Sequence, residues 1–360
     1  KLEGIAKKRK DGKRKKKTIT EHAIEEIVTE ITGIPVSYDN ETQIDKILGL
    51  SAALKDIVIG QDGAVDLVAD SLMRSTARLN DPDKPVASFL FAGPTGVGKT
   101  YLGKMLAQQI FEAEDSFIQV DMSELMDQHS SSKLIGAPPG YIGYDKGGKL
   151  TERVRRNPYS LILFDEVEKA HGDVLNTLLQ ILEEGQLTDS LGRKVNFKNS
   201  IIVMTTNMGA EKLSDNTKIG FKQLEGEEAV SEAKSDSLKE IKKQFKPELV
   251  NRIDEIVTFS TLNKTDAHKI VNILFDKYVK RVKVEHNITL ILHKSATEYF
   301  TKKGFSKKYG ARELSRTIKR EFETKFSQLL LKGEVKPDTS ILCSVKESEV
   351  RFRKTTRKTR

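Results

Sequence analysis

The residues with the clearest chemical potential form a glycine-rich segment that fits the pattern G-x-x-x-x-G-K-[ST] in full. Glycines let backbone N–H groups turn toward the oxygens of a phosphate. The positive end of the dipole of the following helix attracts the negatively charged phosphate. We expect Lys99 to reach the β- and γ-phosphates of a nucleotide and the Thr100 hydroxyl to bind magnesium. The pattern predicts a phosphate-binding loop, here called the P-loop, made of Gly93, Pro94, Thr95, Gly96, Val97, Gly98, Lys99 and Thr100.

A pair of acidic residues follows an apolar run that has the composition of a buried strand, Leu161–Phe164. Buried charges are costly unless they are paired or bound to a metal, so Asp165 and Glu166 need a reason to stand there. Asp165 is suited to holding magnesium, usually through water, and Glu166 to orienting and deprotonating an attacking water. A strand that simply emerges into solvent is the alternative, and the P-loop favours the catalytic interpretation.

Asn207 ends the next apolar run, after Thr205 and Thr206. A polar side chain at a strand tip beside the P-loop is suited to positioning water against a γ-phosphate, although a simple turn residue is the other interpretation. With the two motifs above, it completes a candidate site for nucleotide hydrolysis.

The elements that must position these residues alternate between strands and helices. Short apolar runs predict strands, and longer stretches with helical periodicity lie between them. This alternation predicts a parallel α/β sheet covered on both faces. The predicted strands are Ser88–Ala92, Phe117–Val120, Leu161–Phe164 and Ile201–Thr205; the predicted helices are Lys99–Phe111, Gly148–Arg156 and Gly172–Glu184.

After Thr261 the pattern becomes mostly helical and predicts a smaller α+β domain. We therefore expect a basic linker at 1–17, a helical junction at 18–50, a nucleotide-binding domain at 51–261, a lid domain at 262–346 and a basic tail at 347–360. The expected lid helices are Lys264–Val284, Ser295–Lys303 and Ala311–Leu331, with short strands at Thr289–Leu292 and Ser340–Val345; residues 211–237 are polar and predict a mobile loop.

The net charge of +9 in 360 residues is concentrated at the two ends of the chain. Residues 7–17 hold nine Lys or Arg against one Asp, and 351–360 hold six without an acid, so the body is mildly acidic. A nucleic-acid enzyme usually carries its cations along a folded face, whereas a like-charge block repels itself and stays solvated. We expect neither a nucleic-acid partner nor, without a long apolar run, a membrane.

Cys343 is the only cysteine, so an internal disulfide is impossible and a reducing compartment is expected. The first residue is Lys rather than Met, which leads us to expect an upstream part beyond this chain.

Further strings join the motifs, and their order and spacing resemble the second AAA+ module of the two-ring Clp unfoldases, closest to the ClpC branch with ClpB the near relative. The resemblance covers the chain from about Thr18 onward. The strings are Val58-Ile-Gly-Gln61, Gly140-Tyr-Ile-Gly-Tyr144, Glu183-Glu-Gly-Gln-Leu-Thr-Asp189, Asn251-Arg-Ile-Asp254 and Tyr309-Gly-Ala-Arg312.

The resemblance implies a role for several residues around ATP and Mg²⁺. Val58 and Ile59 would line the adenine pocket, and Asn207 would sense the γ-phosphate. Arg312, in the lid, would report the phosphate state within one subunit. Arg252 would be an arginine finger that reaches the neighbour's ATP in a homo-oligomeric ring, taken as a hexamer; a surface ion pair is the alternative for both arginines.

Two further segments have compositions suited to binding other proteins. Tyr141 and Ile142, between Gly140 and Gly143, would be exposed on a glycine-hinged loop that grips polypeptide by contact area; the family places this loop in an axial pore, with Gly185–Phe197 as a second pore loop. Ile219, Gly220 and Phe221 stand out in a charged stretch, and protease-coupled Clp unfoldases carry such a tripeptide where they dock a ClpP-type peptidase. A tyrosine buried in the core, and a Phe221 packed on its own domain, are the respective alternatives.

The resemblance implies an ATP-dependent unfoldase that threads tagged or unfolded proteins toward a peptidase, with adaptor proteins reached through the upstream part. The expected location is a bacterial or viral-encoded cytoplasmic one, or the plastid stroma. The runner-up is a ClpB-like disaggregase that acts without a protease. A nucleic-acid motor would need basic pore loops, and a non-enzymatic scaffold would be expected to lack Lys99 or Glu166, so both are disfavoured.

Overall fold

The computed structural model describes residues 24, 41–111, 114–137, 140, 147–208, 239–306 and 310–355. The chain divides into two compact units, Lys1–Gln43 and Ile44–Arg360, and the second contains every described strand. Several expectations lie outside the described residues: the basic linker 1–17, most of the junction 18–50, the loop 211–237, the pore-loop residues Tyr141, Ile142 and Gly143, and the tripeptide Ile219, Gly220 and Phe221.

A five-stranded parallel sheet forms the centre of the nucleotide-binding domain, with strand order β2-β3-β6-β1-β7. Its residues alternate between two cores: Phe89 and Phe91 of β1 point to one, and Leu90 to the other. Both faces are therefore apolar, which is why the strand sequences read as continuous hydrophobic runs. The strands are β1 (Ala87–Ala92), β2 (Phe117–Asp121), β3 (Leu161–Asp165), β6 (Ile201–Thr206) and β7 (Glu255–Thr258).

Helices cover the sheet on both faces, as the alternating pattern predicted. One core contains residues of α1 (Glu41–Lys55), α2 (Asp62–Thr76) and α3 (Lys99–Phe111). The opposite core contains residues of α4 (Ser131–Ile135), α5 (Lys149–Arg156), α6 (Gly172–Glu184), the helical residues 239–244 and α7 (Pro247–Val250). Between α6 and β6, strands β4 (Gln186–Thr188) and β5 (Lys194–Asn196) form the antiparallel hairpin expected within Gly185–Phe197.

The C-terminal lid domain has its own core, which contains Phe275, Phe300 and Phe322. A capping box starts its first helix, with Asn263 and Asp266 bonding each other's backbone amides. The elements are α8 (Lys264–His286), β8 (Thr289–Leu292), α9 (Lys294–Gly304), α10 (Gly310–Ile318), a π-helical turn (Lys319–Glu323), α11 (Thr324–Leu331), β9 (Ser340–Lys346) and β10 (Glu349–Thr355), with sheet order β10-β9-β8.

Three expectations need correction. The basic tail expected from residue 347 contains strand β10, which pairs antiparallel with β9. Val350 and Phe352 are two residues apart, so in a strand their side chains share one face, and both pack against the lid core. This apolar spacing favours a strand although the segment is rich in cations. The junction boundary at residue 50 falls inside α1, whose Leu50 and Leu54 are buried. The helix expected over Ala311–Leu331 is interrupted by the π-helical turn.

None of the described helices combines the length and apolar composition needed to cross a bilayer.

Candidate nucleotide-binding site

The P-loop connects the end of β1 to the start of α3, the context its sequence requires. Gly96 has φ 79° and Gly98 has φ 112°, in the region that L side chains rarely adopt. The Lys99 ammonium group is buried and donates to the carbonyl oxygens of Gly93 at 2.5 Å and Pro94 at 2.9 Å. Burial lowers the Lys99 pKa to about 8, and the carboxylates of Glu168, Asp165 and Glu166 oppose that shift.

Asp165, at the end of β3, faces the P-loop hydroxyl that was expected to bind magnesium. Its carboxylate lies 3.4 Å from Thr100 Oγ1 and accepts a 2.5 Å hydrogen bond from Thr205. A hydroxyl and a carboxylate are the hard oxygen donors that Mg²⁺ takes beside phosphates and water. In the described part of the chain no cluster of three or more His, Cys, Asp or Glu could hold a metal alone. The Thr100 hydroxyl and the Asp165 carboxylate are donors that fit a magnesium ion.

Glu166 follows in a left-handed conformation, with φ 57° and ψ 52°, which is costly for a residue with a side chain. Its backbone N–H donates to Thr205 Oγ1 at 3.0 Å. Its carboxylate accepts from Asn207 Nδ2 at 3.3 Å and pairs with Lys169 Nζ at 2.5 Å. The turn thus aims the carboxylate toward the P-loop side of the sheet.

Asn207, at the tip of β6, joins the P-loop and the acidic pair. Its Oδ1 accepts from Lys99 Nζ at 2.9 Å and from Thr95 Oγ1 at 3.3 Å, while its Nδ2 donates to Glu166. Its backbone N–H donates to Glu168 Oε1 at 3.1 Å. The ends of three neighbouring strands therefore converge on one point.

The lid closes the other side of a cavity of about 360 Å³. Ala311 N–H donates to the Gly96 carbonyl oxygen at 2.9 Å, and Arg312 lines the cavity beside it. Lys277 of α8 lies over the Tyr101 ring of α3, with 5.2 Å between Nζ and the ring centroid. The apolar end of the cavity is lined by Ile57, Val58, Ile59, Leu262, Ile270 and Leu274.

Among the predicted residues, Arg252 stands apart from this cavity. Its Nε pairs with Glu183 Oε1 at 2.6 Å, and both side chains are nearly half exposed. Gly140 is exposed. The structure does bring together Val58, Ile59, Thr95, Gly96, Val97, Gly98, Lys99, Thr100, Asp165, Glu166, Asn207 and Arg312 around one cavity.

Sequence reasoning missed several residues at or behind the cavity. Gln61 donates through Nε2 to Val97 O at 3.3 Å and to Ser260 O at 2.9 Å, tying the P-loop to the segment after β7. Glu168, Lys169, Tyr101 and Lys277 were also missed. No sequence motif identifies these residues. Each one is recognised only from a contact in the folded chain, and its partner either is distant in sequence or lies in a turn that no motif marks.

Comparison with known proteins decides the family. Residues 84–256 match the AAA domain (Cdc48 subfamily), and residues 262–343 match the C-terminal, D2-small domain of ClpB protein. The chain belongs to the Clp family of AAA+ proteins. The expected fold, an AAA+ parallel-sheet domain followed by a small lid, is confirmed.

Three Clp relatives illustrate the similarity. The negative regulator of genetic competence ClpC/MecB of Bacillus subtilis is 46% identical over 95% of this chain and 42% of its own length. The chaperone protein ClpB of Clostridium tetani is 45% identical over 96% of this chain and 39% of its own length. The ATP-dependent Clp protease ATP-binding subunit ClpC of Staphylococcus aureus is 45% identical over 88% of this chain and 38% of its own length. The chain thus spans about two fifths of these Clp proteins.

Proposed function

We propose that this chain is the ATP-hydrolysing second module of a Clp unfoldase, acting in a homo-oligomeric, hexameric ring that threads proteins through its pore. The observation that carries the proposal is the convergence of Lys99, Asp165, Glu166 and Asn207 on one cavity that Arg312 of the lid also lines. A site that bound nucleotide without hydrolysing it would not need the Glu166 carboxylate, which is held by Asn207 at the tip of β6.

The chemistry divides among these residues. The P-loop amides and Lys99 hold the phosphates, and Val58 and Ile59 contact the adenine. Mg²⁺, held by Thr100 and Asp165, would neutralise charge on the phosphate oxygens. Glu166 takes the proton of the attacking water, which Asn207 orients. Arg312 senses the phosphate from the lid, and Arg252 acts on the neighbouring subunit's nucleotide.

The mechanical part of the proposal rests on the Clp family and on sequence composition. The loop Gly140–Gly143 would grip the substrate, the hairpin β4–β5 would form a second pore loop, and Ile219–Phe221 would dock a ClpP-type peptidase. Tagged or unfolded proteins are the substrates, and adaptor proteins are further candidate partners. The working division is a nucleotide-binding domain to residue 261 and a lid from 262 onward. A reducing location, cytoplasmic or plastid-stromal, suits the single buried thiol of Cys343.

A ClpB-like disaggregase is the second candidate, because relatives named ClpB and ClpC match the chain at equal identity. Both functions use the same ATPase site, so the cavity does not discriminate between them. The candidate discriminator is the Ile219–Phe221 tripeptide, which the protease-coupled branch carries.

The test is ATPase activity against protein concentration, with particle size measured with and without ATP. Turnover per subunit should rise steeply with concentration as rings form, since the finger residue belongs to a neighbour. Tyr141→Ala should then keep basal ATPase while abolishing unfolding of a tagged, stable substrate. A rate per subunit that is independent of assembly would contradict the ring, and unchanged unfolding by the variant would contradict the pore role.

A further inference from the structure

Glu168 contacts the site residue Asn207 but does not itself line the cavity. It lies in the short helical turn Val167–Lys169 after β3, and its Oε1 accepts the backbone N–H of Asn207 at 3.1 Å. Its Oε2 is buried and has no hydrogen-bond partner in the described part of the chain. Burying a carboxylate oxygen without a partner costs free energy, so this side chain is held in place against its own preference for water.

The contact matters because Asn207 lies just beyond the residues of β6 that pair with neighbouring strands. The pairing of β6 with β1 ends at Thr206, and its pairing with β3 ends at Met204. Asn207 is the first residue beyond the strand, yet its side chain joins Lys99, Thr95 and Glu166. The carboxylate of Glu168 supplies the acceptor that a neighbouring strand would otherwise provide.

We propose that Glu168 is a positioning residue for hydrolysis: it fixes the main chain of Asn207, and through it the amide that links the P-loop lysine to the base. The inference rests on the proposed ATPase function and deepens it. A charge-assisted bond to a backbone amide suits this task, since it is stronger than a neutral one. A residue that only stabilised its own turn would not affect Asn207.

The first test compares Glu168→Ala with Glu168→Gln, which keeps an acceptor oxygen of the same reach. Glu298→Ala, at an exposed side chain of α9, is the control. Glu168→Ala should lower kcat about tenfold, the effect typical of losing a bond to a charged group, with KM for ATP changed less than about threefold. Glu168→Gln should restore most of the rate. Equal losses in both variants, or an unchanged rate in Glu168→Ala, would overturn the proposal.

A double-mutant cycle separates positioning from a general loss of structure. If Glu168 acts through Asn207, adding Glu168→Ala to Asn207→Ala should slow turnover no further. Additive losses would assign Glu168 a different role.

Hydrogen exchange tests the contact without relying on turnover. In the apo protein, the Asn207 amide should exchange faster in Glu168→Ala than in wild type and stay protected in Glu168→Gln. Unchanged protection in Glu168→Ala would refute the positioning contact whether or not the chain hydrolyses ATP. A wild-type chain that assembles but does not hydrolyse ATP would instead refute the proposed function.

Discussion

The side chains of the site constrain one another before any nucleotide arrives. Lys99 is held by two P-loop carbonyls and by Asn207, and Asn207 in turn holds Glu166. A phosphate oxygen is a stronger acceptor for an ammonium group than a carbonyl is, so phosphate can displace the P-loop contacts. The left-handed backbone at Glu166 is local strain that the contacts with Thr205 and Lys169 help to maintain.

We predict that Glu166→Gln binds ATP normally but loses about 10²–10⁴ in turnover, the usual cost of removing a positioned general base. Glutamine keeps the size and the acceptor oxygen for Asn207 Nδ2, so the geometry should survive while proton abstraction does not. The measurements are single-turnover hydrolysis and binding of a fluorescent ATP analogue. Glu298→Gln on the lid surface serves as the control, and near-normal turnover by Glu166→Gln in assembled rings would remove Glu166 from this role.

The residues that sequence reasoning found lie at strand ends, where motif spacing and burial rules apply. Asp165, Glu166 and Asn207 lie at the ends of apolar runs, and the P-loop that leads to Lys99 and Thr100 follows another, so parallel pairing had to bring them to one edge of the sheet. Glu168 could not be found in this way, because its importance comes from a backbone amide 39 residues away. Arg312 lines the cavity, yet only the family pattern distinguished it from other lid cations.

At the scale of elements, the contact between the lid and the P-loop decides the shape of the cavity. Helix α10 begins against the P-loop, where the Ala311 N–H bonds Gly96 O. Gly310 makes this approach possible: its φ is 53°, and a Cβ there would collide with the Gly96 carbonyl oxygen. No residue with a side chain fits this position without moving the lid or the loop.

We predict that Gly310→Ala weakens ATP binding at least tenfold and destabilises the chain by about 1–3 kcal/mol, the usual cost of a side chain in a strained backbone region. Gly333→Ala is a matched control, because Gly333 also has positive φ, 68°, while a Cβ there meets nothing within 4 Å. Nucleotide titration and thermal unfolding measure the two effects. Equal nucleotide affinity in the two variants would mean that the lid contact does not shape the site.

The elements themselves were largely predictable, and the failures have physical causes. Helices α3 and α6 and strand β8 have the predicted bounds, because each is a strongly periodic or compact apolar segment. Helix α2 and strand β7 were missed; β7 is a short strand, only half apolar, that pairs with β1 alone among the described strands. In β10, charge obscured the alternation of Val350 and Phe352.

At the scale of the whole molecule, the two domains have separate cores and share the nucleotide cavity, so a nucleotide that contacts both can couple their positions. Arg252 lies outside this cavity, on the surface, in an exposed pair with Glu183. Such pairs contribute about 0–1 kcal/mol, so stability does not explain the need for an arginine there. Its exposure is consistent with the role toward a second copy of the chain that we propose for it.

We predict that Arg252→Ala lowers turnover by about 10³–10⁵ without weakening nucleotide binding to the isolated subunit, as for other arginine fingers. Glu183→Ala breaks the same ion pair while keeping the arginine, and it should retain activity. Mixed rings of Arg252→Ala and Glu166→Gln subunits should regain part of the rate, because each supplies what the other lacks. Absence of rescue, or an equal loss in Glu183→Ala, would count against action across the interface.

The last prediction concerns a partner, and it separates the two candidate functions. Ile219, Gly220 and Phe221 lie outside the described residues, in a charged stretch with few apolar neighbours. A Phe side chain gains roughly 1.5–3 kcal/mol when it is buried, so an aromatic residue in so polar a stretch of sequence favours a partner surface. One such contact is weak, but several around a ring add by avidity. We predict that Phe221→Ala keeps ATPase activity and loses substrate delivery to a ClpP-type peptidase.

The matched control is Leu224→Ala, which removes an apolar side chain from the same stretch without touching the tripeptide. Co-sedimentation with the peptidase and degradation of a tagged substrate measure docking, and ATPase activity is followed in the same samples. Because docking by avidity multiplies weak contacts, the loss in Phe221→Ala should be steep, and rings mixed with wild-type subunits should recover delivery as intact tripeptides accumulate. Full delivery by the variant would exclude docking. Loss of ATPase together with delivery would mean that Phe221 packs on its own domain, and a disaggregase would then describe the chain better.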